Sequence, residues 1–214
     1  MDIKRSEVYR YLGYGRNKPD EKVYEAVEEC IDLVVKNSDM KSIYRIFDLN
    51  VEGSTITIDN SFKTESKNLS KNLTGCEKIV LFGATLGTGV DMLIKKYSKL
   101  DMSYAVIIQA AAATVIEEYC DICQKEIENK LAAENKFIRP RFSPGYGDFS
   151  INHQKEIINM LDCPRKIGLM LTESLMLVPS KSVTAVMGIS SEKQDCHIKG
   201  CEECEKLDCK YRRS

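Results

Sequence analysis

The sequence lacks the features that would place the protein in a membrane, outside the cell or on nucleic acid. No apolar run reaches the roughly 20 residues of a membrane-spanning helix, and the N-terminus has no apolar segment of signal-peptide length. The 31 Lys and Arg residues and 32 Asp and Glu residues leave a net charge of -1. A dedicated basic surface for nucleic acid or anionic lipid is therefore not expected. We expect a cytoplasmic protein that binds neither nucleic acid nor membrane.

Proline is also scarce, whereas cysteine is not. The chain has only 5 prolines but 9 cysteines in 214 residues. Hydrophobic residues make up 43 %, which suffices for a substantial core and argues against global disorder. Because no export signal is present, the cysteines are expected to be thiols or metal ligands rather than disulfides.

The order of helical and strand-like patterns predicts an α+β fold. An amphipathic helix is expected after Asp20, a plausible N-cap, and two strands are expected around the turn at Gly53-Ser54. A buried strand at 78–82 precedes a helix from about Thr88. The stretch 102–135 is the longest helical pattern and its first half is apolar all round, which indicates a central buried helix.

A loop, a short helix and a hairpin are expected after the long helix. The loop reads "IRPRFSPGYGDFS", and its proline and glycines exclude helix interior. The helix "INHQKEIINMLDC" is expected to be capped by Ser150 or Asn152. The segment "KIGLMLTESLMLVPSKSVTAVMGIS" predicts a β-hairpin that bends at Pro179-Ser180. Its polar Thr-Glu-Ser run interrupts an apolar pattern, which is costly unless those groups are paired or used.

These segments show no regular β-α-β alternation. We therefore predict a mixed or antiparallel sheet with a long central helix and further packed helices. The polar, cysteine-rich end of the chain is predicted to be a small appendage. The expected division is a main domain at 1–190 and a metal-binding tail at 191–214.

Two motifs have functional interpretations that the spacing does not favour. The glycines of "GATLGTG" could bring backbone N–H groups to an anion at a helix N-terminus. Their spacing is neither that of a dinucleotide fingerprint nor that of a Walker motif, so a tight strand-to-helix turn is favoured. Cys120 and Cys123 form a C-x-x-C pair inside a helical pattern. Buried structural thiols are favoured there over redox chemistry.

The tail carries a stronger metal signal. Its cysteines follow the spacing C-x4-C-x2-C-x4-C in a segment too short and polar to fold on a core of its own: Cys196, Cys201, Cys204 and Cys209. Four thiolates suit a tetrahedral zinc ion or an iron–sulfur cluster. The shortage of apolar neighbours leans towards structural zinc. The alternative is a tail with free thiols.

The loop offers groups that suit a small charged ligand. Arg141 presents a planar fork for a carboxylate. Gly145 would let a ligand lie against the backbone, and Tyr146 offers a ring face and a hydroxyl. The carboxylates of Glu117 and Glu118 on the long helix could pair with a cationic group of a ligand. The alternative is an ordinary surface loop over a hairpin, which these residues alone slightly favour.

The loop, the His153-bearing helix and the hairpin segment together resemble the activation domain of cobalamin-dependent methionine synthase. That family has an Arg-x-x-Pro-Gly-Tyr loop, then a helix with histidine, then a Leu-Thr-Glu-Ser…Met…Pro…Ser-Val segment. The order and spacing match over residues 139–189. The first hundred residues carry little of the resemblance.

The resemblance implies binding of S-adenosylmethionine (AdoMet) and a role as component of a methyltransferase. The family uses AdoMet to remethylate cobalamin that has drifted to Co(II), once an electron donor has reduced it. By position, Arg141 would hold the AdoMet carboxylate and Gly145 and Tyr146 would line the ligand. Ser143 stands where the family usually has alanine and would contribute backbone. Glu118, with Glu117 beside it, would face the cationic part.

The sequence also departs from the family. It contains no cobalamin-binding Asp-x-His-x-x-Gly, so the expected partner is a separate cobalamin-binding methionine synthase chain or another corrinoid protein, together with an electron-donor protein. The cysteine tail stands where the family has a Tyr-bearing segment. Two alternatives stay open: an iron–sulfur-assisted reductive activator of corrinoid proteins, and a non-catalytic docking module stabilised by zinc. Arg139, unlike Arg141, is expected to be a solvated neighbour.

Overall fold

A six-stranded antiparallel sheet runs through the computed structural model, which describes residues 1–14 and 17–192. Its strand order is β3-β2-β1-β4-β8-β5, and a separate two-stranded ribbon pairs β6 with β7. The strands are β1 Lys41–Glu52, β2 Thr55–Ile58, β3 Phe62–Glu65, β4 Lys78–Thr85, β5 Phe137–Ile138, β6 Met170–Leu171, β7 Leu177–Val178 and β8 Ser182–Ser190. The predicted strands on either side of Gly53-Ser54 are β1 and β2.

Helices cover both faces of the sheet. They are α1 Arg5–Tyr11, α2 Glu21–Asn37, α3 Lys67–Asn72, α4 Thr88–Leu100, α5 Met102–Ala132, α6 Gln154–Leu161 and α7 Cys163–Ile167, with a 3₁₀ turn at Ile151–His153. The predicted cap of α2 is confirmed, because the Asp20 carboxylate accepts from Val23 N at 2.9 Å. The cap predicted at Ser150 is also confirmed, since its hydroxyl accepts from Asn152 N at the 3₁₀ turn.

The central strand β4 shows why the sheet needs helices on both sides. Val80 and Phe82 point into a core shared with α1, α2, α4 and α5. Ile79 and Leu81 point into a second core shared with α3, α6 and α7. Alternate residues of a strand face opposite sides, so an apolar strand can bury every side chain only between two layers. This arrangement confirms the predicted α+β class.

The long helix α5 is central, as predicted. Its N-cap is Asp101, whose carboxylate accepts from Ser103 N and Tyr104 N. The first half of α5 is buried on most sides, with Ile108, Ala111 and Val115 inaccessible to solvent. Its second half carries acidic residues towards the surface. This half brings carboxylates to the edge of the sheet where the loop after β5 begins.

The predicted hairpin at Pro179-Ser180 is wrong. The short ribbon β6–β7 turns earlier, through residues 172–176, where Thr172 accepts from Met176 N through its hydroxyl at 3.0 Å. The polar residues of this turn are mostly exposed, so they carry no burial cost. Strand β8 instead lies in the main sheet between β4 and β5. Because its second half is buried on both faces, it needs strands and helices from distant parts of the chain.

The glycine-rich turn and the C-x-x-C pair have packing explanations. Gly87 adopts a positive φ of 80°, and a Cβ on Gly89 would lie 2.3 Å from the carbonyl oxygen of Asn37. The tight-turn interpretation therefore has a steric basis. Cys120 is buried, and burial raises the pKa of its thiol, while Cys123 Sγ donates to Ser42 Oγ at 3.3 Å. Such thiols are poor nucleophiles.

Candidate ligand-binding site

Arg141 reaches from the loop to one face of α5. Its Nη1 donates to Gln124 Oε1 at 2.9 Å, and its Nη2 donates to Asp121 Oδ1 at 2.7 Å and to Glu117 Oε2 at 3.4 Å. These three acceptors are spaced i, i+4 and i+7, so they line one helix face. The backbone of Phe142 pairs with Val186 of β8 through two hydrogen bonds, which places Arg141 at the sheet edge. The guanidinium is thus held between the sheet and the helix.

The Arg141 side chain is only 16 % exposed. Burial alone lowers the pKa of Arg141, but the hydrogen-bonded Asp121 and the nearby Glu117 help to outweigh it, so the pKa lies above its usual value. A permanently charged guanidinium therefore lies under the surface of this edge. Each of its present partners is a side chain that a ligand carboxylate could replace.

Glu118 faces the N-terminal segment. Its Oε1 lies 3.1 Å from the Lys4 ammonium, and its side chain is 14 % exposed. A cavity of about 100 Å³ separates the segment from α5 and is lined by Lys4, Glu7, Tyr11, Thr114, Glu117, Glu118 and Asp121. This volume is smaller than an ordinary small-molecule site. It matches the size of one charged end of a ligand, in surroundings rich in carboxylates.

The loop beyond Arg141 forms a tight turn. The Ser143 carbonyl accepts from Tyr146 N at 3.2 Å, with Pro144 and Gly145 between them, and Gly145 has a φ of 93°. Proline followed by a residue of positive φ is the pattern of a type II turn. The Gly145 N–H donates to the Phe149 carbonyl at 2.7 Å. The turn leaves the Tyr146 side chain 68 % exposed beside the edge that carries Arg141.

The expectation for Arg139 is wrong. Arg139 is 3 % exposed, its N–H donates to the Gly188 carbonyl at 2.8 Å, and its Nη2 donates to the Thr74 carbonyl at 3.0 Å. Among the described residues its Nε has no acceptor. The side chain is buried because β5 lies beside β8 and continues the sheet there, a pairing between residues about 50 positions apart. Arg139 and Arg141 therefore point into different environments.

The predicted ligand residues are partly brought together. Arg141 contacts Glu117, and Glu117 and Glu118 line the same cavity beside α5. Ser143, Gly145 and Tyr146 belong to the turn that follows Arg141. Sequence reasoning missed three polar neighbours, namely Lys4, Asp121 and Gln124. The last two carried a signal, because they continue the helical spacing from Glu117. A larger surface depression of about 670 Å³ near Leu73 and Gly75 contains none of the predicted residues.

The predicted tail site lies outside the described residues. Cys196, Cys201, Cys204 and Cys209 all fall within 193–214, so their metal site stays a prediction. Within 1–14 and 17–192, no group of three or more His, Cys, Asp or Glu side chains could hold a metal ion. None of the helices in the same ranges is both long and apolar enough to cross a membrane.

The described part of the chain combines an antiparallel sheet, a long helix with an acidic second half, and a Pro-Gly turn next to Arg141 at the sheet edge. A solved structure described as "Crystal Structure of the MetH Reactivation Domain bound to AdoHcy" is similar, with a TM-score of 0.66 and 17 % identity. The match covers 90 % of this chain and 75 % of that chain. At this identity the match establishes a shared fold.

The family follows from the sequence match. Residues 69–213 match the family described as vitamin B12 dependent methionine synthase, activation domain. This range exceeds half of the chain, and the chain belongs to that family. No curated protein sequence matches. The predicted resemblance is therefore confirmed, and the matched range extends on both sides of the segment 139–189 on which it was based.

Proposed function

We propose that this domain binds AdoMet and supports reductive methylation of cob(II)alamin on a separate corrinoid protein, foremost cobalamin-dependent methionine synthase. In this reaction an electron-donor protein reduces Co(II) to Co(I). The Co(I) electron pair then attacks the AdoMet methyl carbon, the carbon–sulfur bond breaks, and S-adenosylhomocysteine leaves. The observation that carries the proposal is the buried Arg141 fork beside three carboxylates, within a domain of the activation family.

The charges of this edge complement those of AdoMet. AdoMet has a carboxylate, an ammonium and a sulfonium, so a site must offer one cation and at least one anion. Arg141 supplies the cation, and Glu118, together with Glu117 and Asp121, supplies the anions. Truncating one member of a buried charge pair costs about 2–5 kcal/mol. Here the ligand carboxylate would replace Asp121 as the partner of Arg141. The carboxylates released in this way would then pair with the cationic end of the ligand.

The domain itself needs no acid, base or nucleophile for the transfer. The attacking electron pair belongs to the corrinoid, and the leaving group is a neutral thioether that needs no proton. The contribution of this chain is to orient the methyl group and to keep water away. The turn at 143–146 would hold the ligand from one side, and α5 would hold it from the other.

Calorimetry with AdoMet tests the binding step. The native protein is expected to bind AdoMet, Arg141→Lys to bind more weakly because a point charge cannot replace the fork, and Arg141→Ala to lose about 30-fold or more. Arg165→Ala is the matched control, because Arg165 is 85 % exposed and pairs only loosely with Asp162 at 3.7 Å. Absence of binding at high micromolar AdoMet, or an unchanged Arg141→Ala, would overturn the proposal.

Reconstitution tests the activation step. The protein, AdoMet, a reductant and a corrinoid protein in the Co(II) state are combined, and the visible spectrum reports formation of methylcobalamin. Methylation should depend on this chain and fail with Arg141→Ala. If the chain binds the corrinoid protein equally well with and without Arg141, and no methylation occurs, the docking-module alternative is favoured instead.

We also propose that the four tail cysteines bind one metal centre. Support comes only from their spacing, which suits tetrahedral thiolate coordination. Metal analysis of the protein purified without chelator distinguishes zinc, an iron–sulfur cluster and free thiols. Stoichiometric zinc in a colourless protein indicates a structural site, whereas a brown protein with iron and sulfide indicates the reductive-activator alternative. A metal-free protein with four titratable tail thiols would refute the site.

A further inference from the structure

The turn that carries the proposed AdoMet residues is fastened to the start of α3 by one carboxylate. Asp148 Oδ1 accepts from the Ser66 hydroxyl and from Asn68 N at 3.2 Å, and its Oδ2 accepts from Lys67 N at 2.7 Å. The first N–H groups of a helix lack partners within the helix. Here they are satisfied by a residue about 80 positions further along the chain. The Ser66 hydroxyl also accepts from Leu69 N at 3.0 Å, so it joins the helix start to the loop.

The loop backbone lies directly against α3 beside this contact. Gly147 has a φ of 53°, and a Cβ at this position would lie 2.3 Å from Asn68 Nδ2. No side chain fits between the loop and the helix without displacing Asn68. The approach of the loop to α3 is therefore close at the residue before Asp148.

A second contact fastens the far end of the loop to β3. His153 Nε2 lies 2.8 Å from Thr64 Oγ1. The imidazole stacks on the Phe149 ring with centroids 5.3 Å apart, and the Phe149 carbonyl accepts from Gly145 N. A continuous path of contacts thus joins β3 to the turn at Gly145. Both contacts hold the loop to the corner formed by β3 and α3.

We infer that Asp148 is a positioning residue for AdoMet: by fastening residues 143–150 to α3, it holds the turn of Ser143, Gly145 and Tyr146 in its binding conformation. This inference rests on the proposed function. Asp148 itself is outside the cluster of charges on α5, and its contacts are with backbone N–H groups and a serine. Loss of the contact would let the loop sample more conformations, and AdoMet would then have to order it on binding.

Two substitutions separate fastening from charge. Asp148→Asn removes the carboxylate charge, whereas Ser66→Ala keeps the charge and removes one of its donors. Both are expected to weaken AdoMet binding about 3- to 10-fold, as for ordering a few additional groups. The double variant should weaken it no further than the stronger single variant, because both act on one contact. If only Asp148→Asn weakens binding, the charge acts directly on AdoMet and the inference is wrong.

A matched control distinguishes positioning from general loss of stability. Leu69→Ala removes a fully buried side chain of α3 and keeps every group that contacts Asp148. It should lower the melting temperature more than Asp148→Asn, yet leave the AdoMet dissociation constant unchanged wherever the protein is folded. Equal weakening of AdoMet binding by Leu69→Ala would show that α3 stability, and not the loop contact, matters.

Amide hydrogen exchange gives a readout that needs no ligand. In Asp148→Asn, exchange should accelerate at Lys67 and Asn68, which donate to Asp148, and also at Gly145 and Tyr146 in the turn. Acceleration confined to α3 would refute the inference. Faster exchange in the turn would support the fastening role of Asp148 even if the native protein did not bind AdoMet. That combination of results would overturn only the proposed function.

Discussion

The two walls of the proposed site are held in different ways. The loop wall, residues 143–153, is fastened by Asp148 and His153 through hydrogen bonds to α3 and β3. The helix wall, comprising Glu117, Glu118, Asp121 and Gln124 of α5, is held by ion pairs and hydrogen bonds to Arg141 and Lys4. In the proposed binding mode, AdoMet would compete with none of the loop contacts but would have to replace those of the helix wall. The conformation of the loop wall is therefore fixed before binding, whereas the ion pairs of the helix wall would be replaced by those of the ligand.

This difference has an energetic consequence. A buried guanidinium left without a partner would cost several kcal/mol, and in the free protein Asp121 and Gln124 prevent that cost. The same contacts would oppose the proposed binding of AdoMet until its own carboxylate replaced them. The binding free energy therefore depends on how well AdoMet would pair with groups that already have partners. Substitutions in the two walls should differ in their effects on affinity and stability.

Among substitutions within the two walls, the largest effect is expected from Glu118→Gln, which alters the helix wall. The substitution keeps the shape of the side chain and removes the carboxylate that would face the cationic end of AdoMet. Binding should weaken by about 2 kcal/mol, which is about 30-fold. The free energy of unfolding should change by less than about 1 kcal/mol, because the present partner Lys4 is largely exposed. Calorimetry and chemical denaturation measure both, and unchanged affinity would remove Glu118 from the site.

Gly147→Ala is expected to disturb the loop wall. An alanine in the left-handed region costs about 1–2 kcal/mol, and its methyl group would also displace Asn68. The melting temperature should fall by roughly 3–6 °C for a protein of this size. Gly147→Ala with Asn68→Ala should recover the steric part only. An unaltered melting temperature would show that the loop is not held against α3.

Local sequence patterns predict some elements of the fold but not the pairing of strands that are distant in the chain. Helix α2 followed from its amphipathic periodicity, and helix α5 and strand β4 followed from apolar runs, because these signals lie within each element's own residues. The turn at Pro144-Gly145 followed from local chemistry in the same way. The placement of β8 did not, since its neighbours β4 and β5 lie about 50 to 100 residues earlier.

Partners distant in the chain escaped sequence reasoning for the same reason. Lys4 meets Glu118 across more than 100 residues, and Asp148 meets Lys67 across about 80. Nothing in the local composition of either segment identifies its partner. The residue types at the site could be predicted from the sequence, but the contacts that hold them before ligand binding could not.

A smaller effect is expected from Lys4→Met, which removes one ion pair of the helix wall and leaves the loop wall unchanged. The Lys4 ammonium forms an ion pair with Glu118, the carboxylate that we propose for the cationic end of AdoMet. Removing the ammonium should raise AdoMet affinity by up to about fivefold, the value of an exposed ion pair of up to 1 kcal/mol. Because salt screens such a pair, the gain should shrink as ionic strength rises. Lys166→Met on α7, outside the site, is the control, and weaker binding by Lys4→Met would indicate that Lys4 contacts the ligand.

The smallest effect on binding is expected from Arg139→Met. Arg139 precedes Arg141 by two residues, yet it is buried on the far side of β8 from the helix wall, against the Thr74 carbonyl. AdoMet affinity should stay within about twofold of the native value, since no group of either wall changes. Stability should also change little, because the lost hydrogen bond is offset by removal of a poorly paired buried charge. Denaturation and calorimetry test both expectations. A large loss of affinity would mean that the two arginines act together and that the walls are not independent.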